Sequence, residues 1–264
     1  MPTATALLPS PAGRSSGAVP TLLGVWAHPD DEAYLSAGLL ATAVDAGWRV
    51  VIATATRGEI GTDDPDGCPP EVLSRARTRE LVDSLAVLGV QEHRWLRASR
   101  PLVDGRLADV PEEAGIRAVA DVLTDVGPDL VVTFGPDGLT GHSDHRTVSR
   151  WVTRARNRVG NRAALWYAAL TPEFLHRWGD VCTEQEVWMD GGPPEPVDPA
   201  DLVHVQTCSG PLLDRKYASL RAHTSQTAGL IARVGEQRYR QWWSTEAFVA
   251  APPPDDAVAA AAAA

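Results

Sequence analysis

The chain has 264 residues, 44% of them hydrophobic, enough for one substantial core, and a formal net charge of -10 from 24 Lys and Arg against 34 Asp and Glu. That charge, with no basic stripe, argues against nucleic acid or an anionic membrane as partner, and no stretch reaches the ~18 apolar residues of a membrane span. Three widely spaced cysteines, Cys68, Cys182 and Cys208, make neither a disulfide framework nor a CxxC knuckle, so a reducing cytoplasm is the expected compartment.

Residues 1–20 lack the basic start and apolar run of a signal peptide and are expected to be a flexible N-terminal segment. A single domain is expected over 21–250, followed by a low-complexity, disordered tail at 251–264. Within the domain, "TLLGVWA" (21–27) reads as a buried strand and "AYLSAGLLATAVDAG" (33–47) as a helix ended by Gly47. "WRVVIATAT" (48–56) is a β-branched strand, and residues 71–90 are a helix closed by Gly89. "HRWL" (93–96) is a weak strand, 112–127 a helix ending in Gly-Pro, "DLVVTF" (129–134) a strand and 145–160 a helix. Beyond residue 160 the pattern loosens: 164–170 and 202–207 read as strands and 211–223 as a helix, with the loop "GGPPEPVDP" between the two strands. The fold class expected is therefore α/β: a Rossmann-like, doubly wound, mostly parallel sheet with helices on both faces, plus an irregular C-terminal region.

Two dense polar clusters follow strands in this scheme. "AHPDDE" (27–32) leaves the first and "GPDGLTGHSDHR" (135–146) leaves the fourth. In strand order 3-2-1-4-5 those strands are neighbours at the topological switch point, where ligands of open α/β sheets bind. His28, Asp30, Asp31, His142, Asp144 and His145 are thereby expected in one crevice, although about 115 residues separate the clusters. Any one acid could simply cap a helix, and His28 alone could be a satisfied core histidine. Two imidazole-plus-carboxylate clusters at one sheet edge are harder to explain by capping.

Imidazole with carboxylate is a zinc-type donor set, and a catalytic site keeps three protein ligands and one open position. The surplus residues suit a general base and an oxyanion partner. Spacing does not decide between His142 and His145 as ligand, since i and i+3 share a helical face. A nucleotide-binding oxidoreductase of the same fold class is disfavoured, because the first βα turn is acidic and lacks GxGxxG.

"AHPDDE" (27–32), "TRGE" (56–59), Arg77 with Glu80, "GHSDH" (141–145) and "HTSQ" (223–226) resemble the zinc-dependent N-acetylglucosaminyl deacetylase family, PIG-L or LmbE-like, over about residues 21–230. The resemblance implies a zinc-dependent N-deacetylase in which His28, Asp31 and His145 bind Zn2+, or another divalent metal such as Fe2+. It implies Asp30 as general base and a protonated His142, oriented by Asp144, as oxyanion partner. Glu59, Arg77, His223 and Gln226 become candidate substrate contacts. The implied substrate is a small-molecule amino sugar, an N-acetylglucosamine or its conjugate. Alternatives are a different amide conjugate, of mycothiol or antibiotic-precursor type, or a catalytically silent metal-binding member of the fold. Two positions depart from the pattern. Ser143 replaces the usual proline of HPDH, and Thr140 stands where the mycothiol branch carries tyrosine, which argues against a mycothiol-pathway substrate. No motif reports on oligomeric state. The nine tryptophans are read as packing residues, not a sugar-stacking face.

Overall fold

All six residues of Thr21–Trp26 (β1) are buried, as befits a strand covered on both faces. Arg49–Thr54 (β2) and Leu130–Phe134 (β4) pair with it in parallel, with Leu22 opposite both Val50 and Leu130. Glu92–Trp95 (β3) and Ala164–Ala169 (β5) extend the parallel sheet on either side. Leu202–Thr207 (β6) and Thr245–Ala250 (β7) complete a seven-stranded sheet of order β3-β2-β1-β4-β5-β7-β6, in which β7 runs antiparallel to both its neighbours. The computed structural model describes residues 18–253 apart from 63, 65, 161, 162, 190 and 191. Most of the two expected terminal segments therefore lies outside the described residues. Their inner ends are tied to the sheet: Arg49 donates its N–H to Pro20, and Ala251 to Leu165.

Helices Ala37–Asp45 (α2), Pro70–Leu88 (α3) and Gly210–Ala222 (α7) pack together on one side of the sheet, and Glu112–Val126 (α4) with Ser143–Arg158 (α5) on the other. Gly115 lets α4 approach α5 closely, since a Cβ there would sit 2.0 Å from the Trp151 ring. Trp26 and Phe134 meet edge to face at 5.0 Å in the centre of the core. Six tryptophans, including Trp26, Trp151 and Trp242, are buried as packing groups. Among the described residues no helix is long and apolar enough to cross a membrane.

The expected helix 33–47 is two helices, Asp31–Leu35 (α1) and α2, divided at Ser36. The cause is not local. The backbone N–H groups of Gly38 and Leu39, at the start of α2, donate to the Glu246 carboxylate of β7 at 2.7 and 2.9 Å, so a distant acid caps the second helix. Lys216 of α7 completes the cluster, 2.6 Å from the same carboxylate, with neither side chain exposed.

The C-terminal part is more regular than its sequence pattern. Pro172–Glu184 (α6), for which no element was expected, precedes the loop "GGPPEPVDP", with Thr171 capping it by accepting from the Phe174 N–H at 3.1 Å. Thr224–Val234 (α8), Glu236–Trp242 (α9) and β7 follow α7. Trp178, Tyr217, Tyr239, Trp242 and Trp243 form a second apolar cluster that holds these helices together.

Candidate metal centre and active site

Because β1 and β4 are adjacent and parallel, the loops leaving their C-terminal ends meet over one edge of the sheet. From β1 the chain runs Ala27-His28-Pro29-Asp30 into α1; from β4 it turns through Gly138 and enters α5 at Ser143. Asp30 holds φ 114°, a left-handed conformation costly for a side-chain-bearing residue. No carboxylate of Asp30 caps α1. The Asp31 carboxylate instead folds back, its Oδ2 accepting the backbone N–H groups of His28 (2.7 Å) and Ala27 (3.1 Å).

The His145 ring stacks on Phe134 at 4.0 Å, and its Nδ1 donates to the Gly138 carbonyl at 3.0 Å. That bond fixes the tautomer and leaves Nε2 free as a ligand atom. Nε2 lies 3.3 Å from His28 Nδ1 and 3.3 Å from Asp31 Oδ1, while His28 Nδ1 is 3.6 Å from Asp31 Oδ2. Tetrahedral ligands about 2.0–2.1 Å from one ion stand about 3.3–3.4 Å apart; the two edges at His145 Nε2 match that spacing, and one ligand atom from each of the three residues lies within 4.8 Å of the others.

His28, His142 and Asp144 form a second close group. Its carboxylate is already committed. Asp144 accepts from Leu107 N–H (3.0 Å) and Gly105 N–H (2.8 Å), lies 3.3 Å from His28 Nε2, and is fully buried. It braces His28 and the loop at 104–107, which leaves His28, Asp31 and His145 as the candidate ligand set.

The expectation that Asp144 orients His142 is corrected in one respect. The backbone N–H of Asp144, not its carboxylate, reaches His142, donating to Nδ1 at 3.1 Å. His142 thus caps α5 and carries its proton on Nε2. Burial, aided by the charges of His28 and His145, pulls its pKa down to about 4. The lowered pKa favours a neutral ring with an Nε2–H donor over the protonated imidazole that the resemblance implies.

The remaining electrostatics describe a pocket that demands positive charge. Burial works against a charged His28, yet the hydrogen bonds it donates to Asp104 and Asp144, with the charge of Asp31, lift its pKa to about 10. Burial would raise the Asp31 pKa, but His145 and His28 hold it well below the usual carboxylate range. Asp30 behaves oppositely: burial, reinforced by Asp31 and Glu32 against Arg77, raises it to about 6.

Sequence reasoning missed Asp104. Its Oδ1 lies 3.0 Å from His28 Nε2, while Oδ2 accepts the Ile60 N–H at 3.1 Å. Only its place in the loop after β3 brings it here, and no neighbouring motif marks it. Glu32 was quoted in the first motif but given no role. Fully buried, it accepts from Asp30 N–H (3.0 Å), Ser84 Oγ (3.0 Å) and His223 Nε2 (2.8 Å), anchoring the Asp30 backbone.

The four candidate substrate contacts separate. Gln226 lines the cavity of about 300 Å³ that His28, Asp31 and His145 also border, its amide donating to the Gly61 carbonyl at 3.0 Å. Arg77 also borders that cavity, but it is 3% exposed and donates to the carbonyls of Pro29 (2.6 Å) and Gly58 (3.0 Å), 3.3 Å from the Asp30 carboxylate. Its expected helix partner, Glu80, instead accepts from Ser225 at the start of α8. A Cβ on Gly58 (φ 66°) would lie 2.3 Å from the Arg77 guanidinium, so glycine there gives the arginine its berth. Glu59 and His223 do not line this cavity. Glu59 accepts the Asp104 N–H at 3.0 Å, and His223 is buried beneath Glu32.

Residues 23–156 match the family described as PIG-L: GlcNAc-PI de-N-acetylase. A 1D-myo-inositol 2-acetamido-2-deoxy-alpha-D-glucopyranoside deacetylase of Kineococcus radiotolerans is 33% identical, covering 82% of this chain and 72% of that protein. The protein of the same name from Acidothermus cellulolyticus is 30% identical, with 80% of each covered. Among solved structures, a conserved protein from Thermus thermophilus superposes with TM-score 0.58 at 25% identity, covering 89% of this chain and 95% of that one. The N,N'-diacetylchitobiose deacetylase from Pyrococcus horikoshii gives TM-score 0.57 at 18% identity over 88% and 84%, a likeness of fold.

Proposed function

Since the chain belongs to the PIG-L, or GlcNAc-PI de-N-acetylase, family, we propose that it is a metal-dependent hydrolase removing the N-acetyl group from an N-acetylglucosamine-type amino sugar or its conjugate. The observation that carries this reading is the convergence of His28 Nδ1, His145 Nε2 and the Asp31 carboxylate beside a raised-pKa Asp30. Two imidazoles and one carboxylate are a donor set for zinc, with ferrous iron the alternative. When bound there, the ion supplies Lewis acidity, lowering the pKa of a water from 15.7 towards about 7 and polarising the acetamide carbonyl.

The chain's own groups do the rest. Asp30, with its pKa near 6, takes the proton of the attacking water, and Arg77 holds its carboxylate in place at 3.3 Å. His142 Nε2–H donates to the carbonyl oxygen as negative charge gathers on it. One such preorganised donor is worth about 2.7–4 kcal/mol in acyl transfer. Asp30 then returns its proton to the departing nitrogen, giving acetate and a free amino sugar.

The relatives named above carry an inositol glucosaminide in their names, and Thr140 lines this cavity with its hydroxyl 3.4 Å from His145 Nδ1. The acetamido sugar is accordingly the firm part of the proposal and its aglycone the open part. The test is metal content together with primary-amine release from a panel of acetamido sugars and their conjugates. Near-stoichiometric metal and amine release are expected, with Asp30→Asn keeping the metal and losing turnover; full activity in that variant overturns the base assignment.

A further inference from the structure

A second cavity, of about 440 Å³ against about 300 Å³, opens beside the metal cavity over the antiparallel end of the sheet. Tyr34, Leu35, Leu139 and Trp243 border both, so the two adjoin. Its floor is set by register. Ala169 and Val205 both lie opposite Ala247, and directly paired residues share a face, so three small side chains from β5, β7 and β6 leave space above them. The facing wall is α6, through Phe174, Arg177 and Trp178.

The polar groups of this cavity are concentrated and under-used. Thr207 and Thr245 are cross-strand partners, both exposed, and neither hydroxyl has a protein partner among the described residues. Arg177 is exposed, lies 4.9 Å from the Trp178 ring centre and has no carboxylate partner among the described residues. Glu173, one helical turn earlier, borders the same space.

We propose that this cavity is a subsite for a second, hydroxyl-bearing ring of the substrate, the ring joined to the acetamido sugar; this rests on the deacetylase reading. A saturated hydroxylated ring has C–H faces and a polar rim. The faces match the Ala169, Val205 and Ala247 floor and Phe174; the rim meets Thr207, Thr245, Glu173 and Arg177. A purely apolar tail would remove those four polar groups from water without repayment. The metal cavity lies at the lower end of small-molecule site volumes, about 300–1,000 Å³, so a two-ring substrate needs the adjoining space. Binding energy from such a remote ring can be used to orient the acetamide.

The experiment compares two probes, methyl N-acetylglucosaminide and N,N'-diacetylchitobiose, with octyl N-acetylglucosaminide as an apolar control. Ala247→Trp fills the floor, and Thr207→Val with Thr245→Val removes both hydroxyls at nearly constant shape, guarding against misfolding of the bulky variant. The expected result is that the two-ring to one-ring ratio of kcat/KM falls at least tenfold in the first variant and about threefold or more in the second. A ratio unchanged in both, or a selective loss of the octyl glycoside instead, overturns the proposal. If the wild-type protein releases amine from neither probe, the deacetylase reading fails on its own account. Chitobiose binding by calorimetry then decides the cavity: binding lost in Ala247→Trp supports the subsite, and binding absent or unaltered overturns it. A change of oligomeric state in Ala247→Trp, with the substrate ratio intact, would assign the face to a second copy of the chain and overturn it too.

Discussion

Replacing His223 by leucine tests whether Asp30 is held from behind. The Glu32 carboxylate has no exposed surface and three donors: Asp30 N–H at 3.0 Å, Ser84 Oγ at 3.0 Å and His223 Nε2 at 2.8 Å. Leucine removes the histidine donor and leaves a buried carboxylate with two neutral partners. Breaking a buried charged pair from one side costs about 3–5 kcal/mol, a large part of a typical total stability of about 5–15 kcal/mol. His223→Gln keeps an N–H donor and should cost only about 1 kcal/mol, the scale of one ordinary hydrogen bond. Urea unfolding measures both. Turnover per folded, metal-loaded molecule measures the catalytic part, because Glu32 also fixes the N–H of a base held at φ 114°. A misplacement of about 1 Å costs about 10²-fold in rate, so the leucine variant should lose about that factor in kcat with little change in KM, and glutamine should restore most of it. A leucine variant within about 0.5 kcal/mol of wild type, or a glutamine variant as impaired as leucine, would refute the reasoning.

Lys216→Met should cost about 3–5 kcal/mol by urea unfolding, since it strands the Glu246 carboxylate that caps α2; adding Glu246→Gln should recover part of that loss. His93 gives a pH dependence: burial lowers its pKa to about 4, so the folded ring stays neutral while the unfolded one takes a proton below about 6.5. Its contribution is whole above about 6.5 and is lost as pH falls through 6.5 towards 4, amounting to at most about 2 kcal/mol between pH 7.5 and 5 for this half-buried ring. His93→Phe should flatten that part of the urea-measured stability profile. Zinc at about a thousand times its Kd should add about 4 kcal/mol to the unfolding free energy, and Asp31→Ala should abolish most of that gain in a thermal or urea titration.

Four of the five parallel strands were legible because each is a short apolar run, while β3, Glu-His-Arg-Trp, showed only weakly; the sheet order then followed from βα alternation. The crevice was legible for the same reason: strand order alone brings "AHPDDE" and "GHSDH" together. The division of α1 from α2 was not, because its cause is a glutamate 208 residues downstream of Gly38. Helix α6 did announce itself through Thr171, Pro172 and Glu173, a cap followed by a first-turn proline and acid, and was obscured by the proline-rich loop after it. His223 misled for a different reason. A histidine in a polar motif reads as a surface group, yet α7 and α8 bury it against Glu32, a contact visible only in three dimensions.

Three acids, Asp31, Asp104 and Asp144, touch His28, and Asp30 and Glu32 stand next to them in the chain; what distinguishes the five is which oxygens the backbone and side-chain donors have already taken. Both oxygens of Asp144 are occupied by the N–H groups of Leu107 and Gly105, and both oxygens of Glu32 by Asp30, Ser84 and His223. Asp104 divides itself between Ile60 and His28 Nε2. Asp31 spends only Oδ2 on backbone donors, leaving Oδ1 towards His145. Asp30 meets a single cation, Arg77, through one oxygen. An acid with both oxygens committed serves as a brace. Asp31, with an uncommitted oxygen beside two imidazole nitrogens, is suited to hold a cation, and Asp30, buried with a half-satisfied carboxylate and a pKa near 6, is suited to exchange a proton. One sequence motif therefore places Asp30, Asp31 and Glu32 in three different environments, and the three roles proposed for them follow from the different set of donors that the folded backbone gives each carboxylate.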